Sequence, residues 1–228
     1  MLLASARAEP PLLHPFAAAG SAPAPPWHVV GLPQQTKPFT QFSVVDLDGK
    51  RALRIEASES YGNLVHPLEY TGAAAHLGWQ WRADQLVDKA DLNTRSGDDT
   101  ALKVCVFFDL PMDRIPFGDR QVLRFARSKS SDPVPGATIC YVWDAHLPAG
   151  TMLDNAFTRR VRYVVVRSGS EQLKQWLPER RDVAADFIKL FGAESDRMPP
   201  IVAVAVGADS DNTHSHSLGY VSGLVLEP

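Results

Sequence analysis

The chain has 228 residues, 45% of them hydrophobic, and a formal net charge of −3. This length and hydrophobic fraction suit one large globular domain. The charge supplies no overall basic field to attract nucleic acid or an anionic membrane, and no apolar run reaches the roughly 20 residues that a membrane-spanning helix needs. The composition therefore argues against a nucleic-acid-binding protein and against an integral membrane segment.

Residues 1–26 are predicted to be a leader, followed by a single domain over residues 27–228. The sequence Ala6-Arg7-Ala8 fits the A-x-A pattern of a signal-peptide cleavage site, although the basic part and most of the apolar part of a signal peptide are missing. Residues 17–26 are rich in alanine and proline, which indicates a flexible entry to the domain. We therefore expect a periplasmic or secreted bacterial protein, and a disordered leader without export is the alternative.

Short apolar runs separated by turn residues follow one another through the domain. Residues 40–46 and 51–57 flank Asp48-Gly49, which is a strong hairpin signal. Nine to eleven strands are predicted, and the others include residues 77–83, 101–109, 137–143, 161–167, 201–206 and 217–226. Because helices do not alternate regularly with these strands, a β-sandwich is favoured over a doubly wound parallel sheet.

One amphipathic helix is predicted late in the chain. Asp182 can cap its start, apolar residues recur at helical spacing from Val183 to Phe191, and Gly192 ends it. Residues 120–127 are expected to form one or two helical turns at most. The predicted fold is therefore mainly all-β, an antiparallel β-sandwich of jelly-roll type with one short late α-helix.

Cys105 and Cys140 lie in two different apolar runs. If the protein is exported and the two strands are neighbours, these residues can form a disulfide, and buried free thiols are an equally good alternative. Two cysteines without suitably spaced partners do not make a zinc site.

Two oxygen-rich segments each adjoin an apolar strand. Asp209, Ser210, Asp211, Asn212 and Thr213 follow the strand at residues 201–206, and Asp98 and Asp99 precede the strand at residues 101–109. We predict that the acidic residues, with Asn212 and Thr213, bind a ligand. If the two segments meet, Asp98, Asp99, Asp209 and Asp211 are candidate ligands for Ca²⁺, which prefers such oxygen donors. Capping of turns by these carboxylates and a catalytic pair are the alternatives.

Aromatic residues suggest a second kind of binding surface. Trp79, Trp81 and Trp143 are flat rings on which the apolar faces of sugars can stack. At least one of Trp79 and Trp81 is expected in the core, since they share one face of their strand. Trp143, followed by Asp144 at a strand end beside a polar loop, is the better candidate for ligand binding.

The order of four motifs is similar to that of a known bacterial family. Trp79-Gln80-Trp81, Gly97-Asp98-Asp99, Tyr141-Val142-Trp143 and the segment from Asp209 to Thr213 resemble the DUF3047 family, from about residue 27 to residue 226. The resemblance implies export. It implies no functional residues, because the family has no settled activity.

These observations predict an exported module that binds a glycan or a similar ligand of the cell envelope, with Ca²⁺ as a possible structural ion. The absence of the sequence motifs of nucleophilic catalysis favours a binding protein over an enzyme. Two alternatives stay open: a glycan hydrolase or lyase that uses paired aspartates, and a structural or assembly domain without a small ligand.

Overall fold

A computed structural model of the protein describes residues 12–16, 20–130 and 132–228. The predicted cleavage site at residues 6–8 lies outside the described residues. The strands are β1 (His28–Val30), β2 (Gln41–Leu47), β3 (Lys50–Ser58), β4 (Tyr61–Tyr70), β5 (His76–Gln85), β6 (Leu102–Phe108), β7 (Ala137–Asp144), β8 (Met152–Asp154), β9 (Val161–Ser168), β10 (Leu177–Asp182), β11 (Ile201–Asp209) and β12 (His216–Glu227). The helices are α1 (Phe117–Lys129) and α2 (Val183–Phe191).

The strands form two sheets that pack face to face. The larger sheet has seven strands in the order β1-β4-β11-β6-β7-β9-β8, and the smaller has five in the order β10-β5-β12-β3-β2. The strand pairs are antiparallel except for β7 and β9, which run parallel. The predicted fold class, a mainly antiparallel β-sandwich of jelly-roll type, is confirmed.

Alternation along the strands separates an inner and an outer face of the seven-stranded sheet. In β6, Val104, Val106 and Phe108 point into the core between the sheets, because successive side chains of a strand point to opposite faces. Cys105 and Phe107 point the other way and belong to a second apolar cluster on the outer face. The outer face therefore has an apolar cluster of its own, which explains why β6 is apolar at nearly every position.

Cys105 and Cys140 form a disulfide on the outer face of the seven-stranded sheet. The register of β6 and β7 places the two residues directly opposite each other, with a Cα–Cα distance of 4.0 Å. Of the two alternatives for these cysteines, the structure therefore has the disulfide.

The late helix α2 agrees with its sequence signals. The Asp182 side chain accepts a hydrogen bond from the backbone N–H of Ala185 at 2.9 Å, and Phe187 and Phe191 are buried against the sandwich. Helix α1 is longer than the one or two turns predicted, at 13 residues. Leu123 is the one buried residue of α1. The sequence of this helix therefore lacks the wide apolar stripe that indicates a packed helix, and its full length was not predicted.

Residues 12–16, which belong to the segment interpreted as a leader, lie against the sandwich. Leu13 and Phe16 are buried, and the indole N–H of Trp27 donates a hydrogen bond to the carbonyl of His14 at 2.9 Å. No helix within the described part of the chain has the length and apolar character to cross a membrane.

Candidate functional site

The two oxygen-rich segments meet beside the outer face of the seven-stranded sheet. Asp99 joins them, since its carboxylate accepts hydrogen bonds from the backbone N–H groups of Asn212 at 3.2 Å and Thr213 at 2.7 Å. The hydroxyl of Thr213 donates a further bond to Asp99 at 2.6 Å. This carboxylate is fully buried and fixes the conformation of the loop that follows β11.

Asp209 ends β11 and forms an ion pair with Lys103 of β6. The ammonium nitrogen of Lys103 lies 2.9 Å from Oδ2 of Asp209, and Oδ1 accepts the backbone N–H of Thr100 at 2.7 Å and the Thr100 hydroxyl. Burial disfavours the charged form of Lys103, but the charge of Asp209 outweighs that effect and raises the pKa of Lys103 above its ordinary value. Lys103 therefore stays a cation in a site with little access to water.

Asp98 is buried next to this ion pair. Its carboxylate accepts hydrogen bonds from the hydroxyl of Tyr163 at 3.1 Å and from the side-chain amide of Asn155. Burial, together with the nearby charge of Asp209, raises the pKa of Asp98 to about 6. Burial also raises the pKa of Tyr163 well above its ordinary value, so the Tyr163 hydroxyl keeps its proton.

Asp211 is buried with an unused acceptor. It is 8% exposed, and its Oδ1 has no hydrogen-bond partner among the described residues. Burial and the charges of Asp209 and Asp99 raise the pKa of Asp211. Oδ1 of Asn63, on β4, also lacks a partner among the residues that the structure describes.

These groups line one end of a cleft of about 450 Å³ on the outer face of the seven-stranded sheet. The polar end is lined by Tyr61, Asn63, Asp98, Lys103, Asn155, Tyr163, Asp209, Asp211 and Asn212. The remainder is mostly apolar, and α1 forms one wall of it. Apolar lining residues include Leu32, Phe107, Val122, Leu123, Val134, Phe157 and the disulfide. The cleft is therefore amphipathic, with carboxylates and amides at one end and rings and aliphatic groups at the other.

The donor set does not fit the predicted calcium site. Asp99 is occupied by hydrogen-bond donors, and the ammonium group of Lys103 lies against Asp209 where a cation would have to bind. No group of three or more His, Cys, Asp or Glu side chains in residues 12–16, 20–130 and 132–228 is arranged to hold a metal ion. Protein donors hold the carboxylates of Asp98, Asp99 and Asp209, and Oδ1 of Asp211 is a free acceptor. This arrangement does not supply the set of free oxygen ligands that Ca²⁺ prefers.

Trp143 and Asp144 were predicted to bind a ligand, and the structure places both outside the cleft. Trp143 is 1% exposed, packs on Trp81 with ring centroids 5.8 Å apart, and donates its N–H to the carbonyl of Gly169 at 3.1 Å. The prediction of a stacking platform at Trp143 is therefore wrong, because no ring face is accessible. The carboxylate of Asp144 accepts the backbone N–H groups of His146 and Leu147 and so caps the turn after β7.

Several residues of the polar end were not singled out from the sequence. Tyr61 and Asn63 come from β4. Asn155 directly follows β8, and Tyr163 lies in β9. Lys103 could have been identified from the sequence, because it is the one charged residue in the apolar run from Ala101 to Phe108. A lone charge in such a run predicts a partner of opposite charge.

The arrangement supports binding of a ligand that supplies hydrogen-bond donors. Asp211 and Asn63 offer free acceptors, and the hydroxyl of Tyr61, which accepts the Asn63 amide at 3.1 Å, has its own proton to donate. Burial raises the pKa of Tyr61, so this proton is retained. Acid–base chemistry is also within the capacity of the site, because a carboxyl group with a pKa near 6 exchanges protons close to neutral pH.

Several solved structures resemble this chain, and two of them are similar at low sequence identity. The structure of TmCBM61 in complex with beta-1,4-galactotriose has 11% identity over 89% of this chain and 88% of that chain, with a TM-score of 0.34. The Trichoderma harzianum Endoglucanase 3 from family GH12 has 7% identity over 90% of this chain and 98% of that chain, with a TM-score of 0.42. At these scores neither similarity carries an argument about ligand or activity.

No curated protein matches the chain. One family model does, over residues 25–225, which is nearly the whole described domain. The match agrees with the order of motifs in the sequence, and the chain belongs to the family described as Protein of unknown function (DUF3047).

Proposed function

We propose that the protein binds a saccharide of the bacterial cell envelope in the cleft on its seven-stranded sheet. The observation that supports this most directly is the free acceptor on Asp211, a carboxylate oxygen that is buried in the cleft wall without a donor. A buried acceptor without a partner costs about 1 to 3 kcal/mol. A ligand whose hydroxyl groups donate to Asp211 and Asn63 removes that cost on binding.

The chemistry of a saccharide matches both ends of the cleft. Sugar hydroxyls donate to carboxylates and amide oxygens, and they accept from groups such as the hydroxyl of Tyr61. The C–H faces of sugars are apolar and pack on flat rings. Phe107 and Phe157 line the apolar part of the cleft. In this proposal they stack against the sugar, which is the role that the sequence suggested for Trp143.

Export belongs to the same proposal. The Cys105–Cys140 disulfide supports an oxidising compartment such as the periplasm or the exterior of the cell. The A-x-A pattern at residues 6–8 supports it as well. Fractionation of the native host, followed by detection of the protein with an antibody, tests the location, and recovery from the cytoplasm alone contradicts it.

The test of ligand binding compares two single substitutions that make the same chemical change. The purified protein is applied to an array of bacterial envelope saccharides, and affinity for any bound saccharide is measured by calorimetry. Asp211→Asn is expected to weaken binding about tenfold or more, because a carboxylate acceptor is worth more than a neutral one. Asp109→Asn, at an exposed position away from the cleft, is the matched control and should leave affinity unchanged. Absence of binding to every saccharide, or equal effects of the two substitutions, contradicts the proposal.

A hydrolase that cleaves such a saccharide is the second candidate. It is favoured by the raised pKa of Asp98 beside the Lys103–Asp209 ion pair, because glycoside hydrolysis uses one protonated and one ionised carboxyl group. Prolonged incubation with a bound oligosaccharide, with release of reducing ends as the readout, tests this candidate. Release that Asp98→Asn abolishes supports it, and an oligosaccharide that stays intact with the wild-type protein contradicts it.

A further inference from the structure

Exposed apolar side chains are concentrated around the mouth of the cleft. Ten large hydrophobic residues are exposed in the described part of the chain, and six of them line the cleft, lie on α1, or lie against Gly31 of the lining. We call these six the cleft rim: Leu32, Phe39, Phe117, Val122, Phe125 and Phe157. Leu32, Val122 and Phe157 line the cleft itself, and Phe117 and Phe125 lie on α1, which forms one wall of it. Exposed apolar residues gathered in one place mark an interaction surface, whereas scattered ones need no explanation.

Basic residues accompany the rim, although the whole chain is acidic. Helix α1 carries Arg120, Arg124, Arg127 and Lys129. Its one acidic residue, Asp119, is engaged by Arg160 at 3.0 Å.

Two of the exposed rings also lie beneath a cation. The ammonium group of Lys129 is 5.9 Å from the ring centroid of Phe125, and the guanidinium carbon of Arg95 is 5.4 Å from that of Phe157. The rim thus combines exposed aromatic rings with a local positive charge.

We propose that α1 and the cleft rim dock the protein on an anionic lipid surface. Phe117, Phe125 and Val122 insert among the lipid chains near the headgroups, and the basic side chains of α1 contact the lipid phosphates. Exposed rings next to arginine and lysine are the features that bind peripheral helices to anionic bilayers. In this orientation the cleft opens toward the membrane.

A second copy of the chain fits the surface formed by α1 and the cleft rim less well than an anionic lipid surface does. A two-fold contact through α1 places the same patch of both subunits face to face. The arginine and lysine side chains of one helix would then oppose those of the other, and like charges repel. An anionic lipid surface offers the opposite charge together with an apolar layer below it.

The experiment measures co-sedimentation of the full chain with phosphatidylglycerol vesicles and with phosphatidylcholine vesicles. The protein should sediment with the anionic vesicles and not with the zwitterionic ones, and added salt should reduce the bound fraction. The double substitution Phe117→Ser with Phe125→Ser should weaken binding about tenfold or more, because two rings no longer enter the apolar layer. Arg124→Gln should weaken it by less.

The control is Ile188→Ser with Val225→Ser, which removes two exposed apolar side chains outside the rim and should leave binding unchanged. Phe117 and Phe125 are 73% and 67% exposed, so their replacement should not lower the melting temperature. Failure to sediment with anionic vesicles, or equal losses in rim and control variants, overturns the proposal. A concentration-dependent dimer that the double phenylalanine variant abolishes also overturns it, in favour of a second copy. Saccharide affinity is measured separately, so the two proposals can fail independently.

Discussion

The ammonium group of Lys103 and the carboxylate of Asp209 face each other at 2.9 Å, and each side chain is 5% exposed. Removing one partner of such a pair leaves an uncompensated buried charge. We therefore expect Lys103→Met to lower the free energy of unfolding by about 3 to 5 kcal/mol, as measured by urea denaturation.

The double variant Lys103→Met with Asp209→Asn separates loss of the pair from loss of packing. Once both charges are gone, no charge is left buried and unpaired, so the double variant should lose less stability than the sum of the two single variants. Strictly additive losses would show that the two groups do not depend on each other.

The raised pKa of Asp98 predicts a particular dependence of stability on pH. The ordinary value for this carboxyl group is 3.8, and the folded-state value is about 6. Between these values the folded protein binds more protons at Asp98 than the unfolded chain does. The contribution of Asp98 to stability therefore falls as the pH rises from about 4 to about 6, and it is constant above that range. The expected loss is on the order of 3 kcal/mol.

Urea midpoints of the wild type and of Asp98→Asn, taken at intervals from acid to neutral pH, check this expectation. The variant has no carboxyl group to ionise at this position, so its stability should decline less over the same interval. Asp109→Asn keeps Asp98 and should follow the wild type. Parallel curves for wild type and Asp98→Asn would contradict a raised pKa at Asp98.

The disulfide is expected to contribute substantially to stability. It links residues separated by 35 positions, and the loop-closure relation gives about 3 to 4 kcal/mol for a loop of this length. Cys105→Ala with Cys140→Ala should lower the free energy of unfolding by that amount. A reducing agent should destabilise the wild type and leave the double variant unaffected, and thermal unfolding with and without the reductant measures both effects. Equal sensitivity of the two proteins to the reductant would contradict the expectation.

The sandwich and the late helix were predictable from local patterns. Turn residues recur between short apolar runs, and α2 has both a capping aspartate at Asp182 and a clear apolar stripe. The meeting of the two acidic segments was also foreseeable, because both adjoin strongly apolar strands and such strands tend to be neighbours in the interior of a sheet. β6 and β11 are neighbours in the structure.

The rest of the site depends on information that is not local. Asn155 and Tyr163 reach the cleft because β9 crosses over to run parallel to β7, and no short pattern in the sequence encodes that crossover. The calcium hypothesis failed for a related reason. The sequence shows the carboxylates as a group. It does not show that Lys103, on the outer face of β6, forms an ion pair with Asp209 and so takes the place of a metal ion.

Trp143 shows how position at a strand end can mislead. Its place beside a polar loop suggested exposure, yet the alternation of β7 puts it on the same face as Ile139 and Tyr141, and that face is the core. We therefore expect Trp143→Ala to lower the free energy of unfolding by about 3 to 5 kcal/mol, because it leaves a large cavity. Trp143→Phe should cost less, since it keeps most of the buried ring.

Saccharide binding by the Trp143 variants distinguishes a core residue from a binding residue. If the ring acts only in the core, Trp143→Phe should bind any saccharide that the wild type binds with the same affinity per folded molecule. Under the same conditions Asp211→Asn should bind it more weakly. Both quantities come from calorimetry on protein whose folded fraction is known from circular dichroism. A Trp143→Phe protein that is as stable as the wild type but has lost saccharide binding would contradict this expectation. It would show that Trp143 belongs to the ligand site although it is buried in the structure.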